Sequence, residues 1–242
     1  MKALLTIEWI KTWREWSVFL LAIGMPVGFF LFYSGMTMFD DPVQQKAFVQ
    51  SYMLTMTAFS MSSFAFFTFP QMIREDDENQ WRHYLSHSPI TTWQYYLSKV
   101  FRVGLNFLTS IAVTFMIGAF VRGVKMPVGR WIGSAVLLML TSLLLLLFGL
   151  LISYIKSKQL MSIVGNIAFL GLALLAGSWM PISLFPSWLQ TIAKVTPLYY
   201  VNQLIVNFAS DGKISGRSLL MILAYGIMTL AIIYKIQGRK TR

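Results

Sequence analysis

The densest run of titratable groups is Arg74-Glu75-Asp76-Asp77-Glu78, which holds four of the nine acidic residues of the chain. Trp81 follows it, then His83 and His87 at i, i+4, then Ser88-Pro89-Ile90. The histidine spacing is that of a ligand pair, but both lie on a solvated loop just before a helix start, and no metal site is expected. A charge run is ordinarily a solvated face. Here it precedes a segment with its own start signals, Ser88 as N-cap and Pro89 at the first helical position. The helix that follows places Ile90, Trp93, Leu97 and Val100 on one face. An acidic knob beside an aromatic-faced helix reads as a surface that docks a protein.

Catalytic chemistry is not expected. There is no G-x-x-x-x-G-K-[ST] phosphate loop, and Gly212-Lys213 lacks the upstream glycine and the strand context. Neither H-E-x-x-H nor G-x-S-x-G occurs. If the protein moves a solute against a gradient, the energy must come from another subunit, and no cofactor is expected in this chain.

A second distinctive stretch is 177–204, GSWMPISLFPSWLQTIAKVTPLYYVNQL. Pro181, Pro186 and Pro197 break it around a short amphipathic piece, and its last apolar run is too brief to cross a bilayer. Irregular backbone at membrane depth survives only where protein or a water-filled cavity covers it. Something passes there or something shields it.

The elements that must position these groups follow from composition. The chain has 242 residues, 56% hydrophobic and only 12% charged, with a mean hydropathy of +0.62. Soluble domains carry about 25% charged residues. A helical crossing needs roughly 20 apolar residues. Six such blocks occur, at about 17–36, 51–72, 103–121, 131–154, 161–179 and 219–236. The expected fold class is an all-α polytopic membrane protein forming one transmembrane domain over 1–242, with an interfacial helix at 2–16. A loop at 74–100 and a broken segment at 180–208 complete it. Cysteine is absent, which excludes disulfides and thiolate metal sites. The first apolar block is too long for a cleavable signal and lacks a small-residue cleavage site.

Charge placement sets the expected orientation. With six spans, thirteen Lys and Arg fall on the side of the termini and seven on the other. The positive-inside rule then puts both termini in the cytoplasm of a plasma, bacterial-type membrane, with Arg122–Arg130 opposing the trend. Basic residues beside anionic headgroups account for the net charge of +11 without nucleic acid.

Within 2–16, Leu5, Trp9, Trp13 and Trp16 form one stripe, with Glu8, Lys11 and Glu15 opposite as a polar face able to pair along the helix. The tryptophans suit the headgroup zone. Gly24-Met25-Pro26-Val27-Gly28 should kink the first span. In the second span, Ser51, Thr55, Ala58, Ser62 and Ala65 make a narrow face of small residues, for close packing or for lining a pathway. The block interiors contain no Asp, Glu, Lys, Arg or His, Lys235 falling at the very end of the last, so an ion-coupled carrier is not expected. Asn106 and Asn166 are their strongest polar groups, best read as helix–helix hydrogen-bonding residues.

These pieces together resemble the six-span permease (transmembrane) subunit of type-2 ABC exporters. The resemblance rests on the interfacial helix, the proline-containing first span, and Arg74–Glu78 followed by Ser88-Pro89 and Lys99. It rests most on the external segment with Gly177, Pro181, Pro186-Ser187-Trp188-Leu189 and Pro197-Leu198-Tyr199-Tyr200. Where the family commonly has a Gly-Thr pair, this chain reads Glu78-Asn79-Gln80-Trp81. The resemblance implies a second permease subunit, identical or related, and two cytoplasmic ABC ATPase subunits that would bind ATP and Mg. Coupling to the ATPase would then fall to Glu75, Asp76, Asp77, Glu78, Ser88, Pro89, Ile90, Trp93, Leu97 and Lys99. An external re-entrant gate would use Pro181, Leu184, Pro186, Trp188, Pro197, Tyr199 and Tyr200. The substrate route would run near the second and fifth spans, with Ser51, Thr55, Ala58, Ser62, Ala65 and Asn166 as pathway or packing residues. The 15 Met and 19 Phe favour a hydrophobic or amphipathic cargo such as a drug, antibiotic or lantibiotic-like peptide. Polysaccharide or lipid-linked glycan export, and a non-transporting sensor or scaffold, are the alternatives.

Overall fold

The computed structural model describes residues 2–179 and 182–240. Among them all regular structure is helical, with no strand, and five helices are long and apolar enough to cross a membrane. These are Trp16–Ser34, Thr92–Phe120, Val128–Ser153, Lys158–Leu175 and Gly216–Gly238.

Helix α1 (Lys2–Arg14) lies against the bundle with its polar side inward: Leu4, Glu8 and Thr12 are buried, whereas Trp9, Trp13 and Trp16 are exposed. From the sequence, Glu8 shares a polar face with Lys11 and Glu15, opposite the tryptophan stripe. It is turned in because its partners are cations of another helix.

The first span is two pieces, α2 (Trp16–Ala22) and α3 (Gly24–Ser34), joined through Ile23 at φ −106°, ψ −43°. The break has a local cause. Pro26 has no N–H, so the Ala22 carbonyl one turn earlier loses its helical donor. Ser60 supplies a replacement, its hydroxyl donating to that carbonyl at 2.7 Å, and Ser110 donates to Ser60 at 2.8 Å.

Ser60 belongs to α4 (Pro42–Ser63), capped by Asp41, whose side chain accepts from the Val43 N–H at 2.9 Å. The helix continues through a π turn (Phe64–Thr68) into α5 (Phe69–Glu78), so residues 42–78 form one helical run rather than a span confined to 51–72. From Tyr52 to Phe66 every residue but Thr55 is buried. Surrounded by protein, this element tolerates hydroxyls, which bond to carbonyls of their own helix: Thr57 to Met53, Ser62 to Phe59, Ser63 to Ser60. Its composition is correspondingly less apolar, and it is not among the five candidate spans.

The short α6 (Trp81–Ser86) follows after Gln80, which sits in the left-handed region at φ 55°. Next comes α7 (Thr92–Phe120). The expected N-cap, Ser88, instead donates to the Leu85 carbonyl and closes α6. Thr91 caps α7 in a reciprocal box with Gln94. Nothing between 92 and 120 breaks a helix, so the short loop helix and the third span are one element, and Lys99 and Arg102 lie inside it.

Helices α8 (Val128–Ser153) and α9 (Lys158–Leu175) close on the π turn through glycines. A methyl at Gly149 of α8 would collide with the Ala65 carbonyl oxygen, and one at Gly165 of α9 would stand 3.1 Å from the Phe66 carbonyl oxygen.

The segment after α9 is broken as its prolines require. A 3₁₀ turn (Ile182–Leu184) leads to α10 (Ser187–Ala193) and α11 (Pro197–Asp211), capped by Thr196 and ended by Gly212 at φ 74°. By its residue count α11 is about 22 Å long, short of a bilayer core of about 30 Å. It packs against α4, α8 and the last helix, α12 (Gly216–Lys240), with Leu198, Val201, Leu204 and Ile205 buried.

At the end of the bundle away from α1, two arginines hold helix C-termini. Arg122 donates to the Leu31 carbonyl of α3, and Arg130 donates to the carbonyls of Ala209 and Ser210 of α11. Cations suit the negative end of a helix dipole. Two of the three cations in the loop that opposes the charge bias, Arg122 and Arg130 but not Lys125, are therefore occupied structurally.

Candidate functional site

Beside α1 the structure assembles a buried ion cluster from three elements. Lys99 of α7 places its Nζ 2.6 Å from Glu8 of α1 and 2.7 Å from Asp76 of α5. One turn further on, Arg102 reaches Glu8 at 3.3 Å and also pairs with Glu15. The Tyr95 hydroxyl donates to Asp76 at 2.9 Å, and Lys11 approaches Asp76 at 4.0 Å. Lys99 is 1% exposed, Glu8 1% and Arg102 3%. Three carboxylates thus face three cations, the balance that makes burial of such groups affordable. The cluster bolts α1 and α5 to the start of α7. Ile90 packs beside it on Leu4, Leu85 and Tyr95.

The expected coupling residues separate into two sets around this bolt. Asp76 and Lys99 lie inside it. Glu75, Asp77, Glu78, Pro89, Trp93 and Leu97 are exposed, Trp93 by 74%, while Ser88 is half-buried. Glu78 is bonded by Arg74 at 2.9 Å and lies near Lys158, and the Arg74 hydrogen bond holds its carboxyl below the usual carboxylate range. His83 and His87 pack ring to ring at 4.8 Å.

A cavity of about 310 Å³ opens between the first span, the π turn with α5, and α9. Phe59 and Phe169 stack along it at 4.7 Å, and Phe67 meets Phe169 edge-on at 5.1 Å. Glu15, Gln71 and Glu75 contribute its charged and amide groups. Of the lining, the sequence marks Glu15, Met25, Pro26 and Glu75, each for another role.

Of the small-residue face of α4, Ala58, Ser62 and Ala65 are buried, Ser51 and Thr55 half-buried. Asn166 is exposed on α9 and donates to the Ser162 carbonyl of its own helix at 3.0 Å. Of the expected gate, Leu184 and Trp188 are exposed and Pro186 precedes α10. Pro197 opens α11, where Tyr200 is buried and meets Tyr199 edge-on at 5.3 Å. Pro181 lies outside the described residues.

A bundle of apolar helices, bolted beside α1 by buried charge, defines a multi-pass membrane protein. The family described as ABC-2 family transporter protein matches residues 31–235, and the chain belongs to that family. It is 23% identical over 221 residues to the Bacillus subtilis (strain 168) protein named "Putative transport permease YvfS". That match covers 91% of this chain and 89% of the relative. The protein is accordingly a membrane transport permease, a transport subunit rather than an enzyme, of a family that normally works with an ATPase partner.

Sequence reasoning missed Glu8, Tyr95 and Arg102 as members of the ion cluster. A signal was present. Lys99 and Arg102 stand one turn apart at the entrance of an apolar helix, and Glu8 and Glu15 lie seven residues apart, on α1 and just after it.

Proposed function

We propose that the protein is the permease subunit of an ATP-driven exporter that moves a hydrophobic or amphipathic compound out of the cell by alternating access. The observation that carries this is the buried cluster of Glu8, Asp76, Lys99 and Arg102. It ties an amphipathic helix and the base of a central helix to the helix that presents Trp93 and Leu97. A push on that exposed face is thereby transmitted as a rigid unit, as coupling between distant sites requires.

In this reading six spans cross the membrane, with residues 42–78 as the second and both termini cytoplasmic by the charge bias. The surface of Glu78, Pro89, Trp93 and Leu97 seats on an ABC ATPase, two copies of which serve a pair of permease subunits. Asp76 and Lys99 hold that surface from beneath, and Glu75 turns to the cavity instead. The pieces at 182–193 and 197–211 form a re-entrant external gate. Reconstitution with the partner ATPase tests the reading: ATP should drive export from proteoliposomes, and the permease should stimulate hydrolysis. A chain that neither copurifies with an ATPase nor alters its turnover is a scaffold, and the reading fails.

A further inference from the structure

The lining of the 310 Å³ cavity has a sign that the rest of the chain does not share. The protein carries a net charge of +11, yet the cavity is lined by Glu15 and Glu75 and by no Lys, Arg or His. Glu15 shares its charge with Arg102, which stands outside the lining. Glu75 is exposed and forms no ion pair among the described residues. Behind these carboxylates the wall is aromatic, built from Phe59, Phe67 and the stacked Phe169. The kink at Ile23 and the π turn border this space, and Pro26 and Thr68 line it, so it is built into the helix paths.

Apolar walls, a small number of placed polar groups and this volume are the composition of a small-molecule site. Ring faces carry negative charge density and attract cations, more so when these are desolvated. Carboxylates near the mouth add a directional anionic group and disfavour an anion in the same place.

We propose that this cavity binds a hydrophobic organic cation. Its apolar body lies against Phe59, Phe67 and Phe169, and its positive centre is held by Glu75 with help from Glu15. The proposal rests on the transport reading for its purpose, since it names the class of cargo that the permease accepts. Because Glu15 directly follows α1 and Glu75 sits near the end of α5, the charged side of the cavity lies near the ion cluster. In the proposed orientation the cation therefore enters from the cytoplasmic side.

Tetraphenylphosphonium and tetraphenylborate have the same shape and opposite charge, which makes them the probes. Binding is measured on the full chain in nanodiscs of zwitterionic lipid, with partition into empty nanodiscs subtracted. Tetraphenylphosphonium should bind saturably, and tetraphenylborate should not. Glu75→Gln should weaken the cation by about tenfold, the value of one charge-assisted contact. Phe169→Leu should weaken it too, and Glu75→Lys should shift preference toward the borate. Equal binding of both probes, no saturable binding of the cation, or cation binding indifferent to Glu75→Gln overturns the proposal. No ATPase is needed for this measurement, so its failure leaves the transport reading standing. Saturable binding without ATP-driven export sinks the transport reading and leaves the site.

Discussion

Ser60 donates its hydroxyl hydrogen to the Ala22 carbonyl at 2.7 Å, filling the place of the N–H that Pro26 lacks. A defect written into the first span is thus repaired by a side chain of the central helix. The repair is itself backed by Ser110 of α7. Three helices meet at one orphaned acceptor.

Ser60→Ala should therefore destabilise the folded protein by about 1–3 kcal/mol, the cost of leaving a buried carbonyl without a partner. In a Pro26→Ala background residue 26 regains its N–H, and the same substitution should cost much less. A double-mutant cycle on detergent-solubilised protein, followed by denaturant unfolding, reads the coupling. Equal losses in both backgrounds would refute the repair.

Lys99→Met takes the nearest cation from Glu8, which keeps Arg102, and from Asp76, which keeps Tyr95 and the more distant Lys11, and the loss should be about 3 kcal/mol. Neutralising the partners as well, with Glu8→Gln and Asp76→Asn added, should restore much of it. Thermal unfolding of the two variants side by side decides the matter. A triple variant no better than the single one would mean that packing, not charge, holds α1 to α7.

Gly149→Ala should cost about 1–3 kcal/mol, because its methyl meets a backbone carbonyl that cannot swing aside. Gly171, on α9, has nothing within 4 Å of an added methyl. There the same change should be neutral or favourable by about 0.5–1 kcal/mol, from the better helix propensity of alanine. Comparable stability of the two variants would rule out the grip on the π turn.

Trp93→Ala removes a side chain that is 74% exposed, so folding and membrane insertion should be unchanged. If Trp93 anchors an ATPase, affinity for it should fall by about 2 kcal/mol, roughly 30-fold, the loss typical of a central aromatic contact. Binding of the purified ATPase to variant and parent in nanodiscs measures this. Unchanged affinity removes Trp93 from the coupling surface.

Much of this architecture was legible in the residues. Long apolar blocks marked the five helices long and apolar enough to cross a membrane, Pro26 marked the break in the first of them, and Pro186 and Pro197 marked the breaks of the segment after α9. Other parts were hidden for physical reasons. Lys99 and Arg102 looked like loop residues because apolarity begins after them, yet helix geometry begins at Thr92 and carries them into the bundle. Asn166 looked like an interior residue because it sits in an apolar block. Its amide is instead satisfied by Ser162 of its own helix and can stay on the surface. Glu8 looked like a partner of Lys11 on its own helix, and only the approach of α7 shows what it is for. The cavity draws on three elements distant in sequence, so no local pattern announces it.

The π turn at Phe64–Thr68 has one last effect, which concerns rotational phase. Each residue of an α-helix advances the side chains by about 100°, so the extra residue turns everything beyond it by that angle relative to an unbroken helix. With that offset Asp76 faces Lys99 and Glu75 lines the cavity. Deleting a single residue here would leave a continuous helix whose two ends no longer agree about which way is in. Among sequences of this kind, a one-residue gap inside 64–68 would carry more meaning than many substitutions elsewhere.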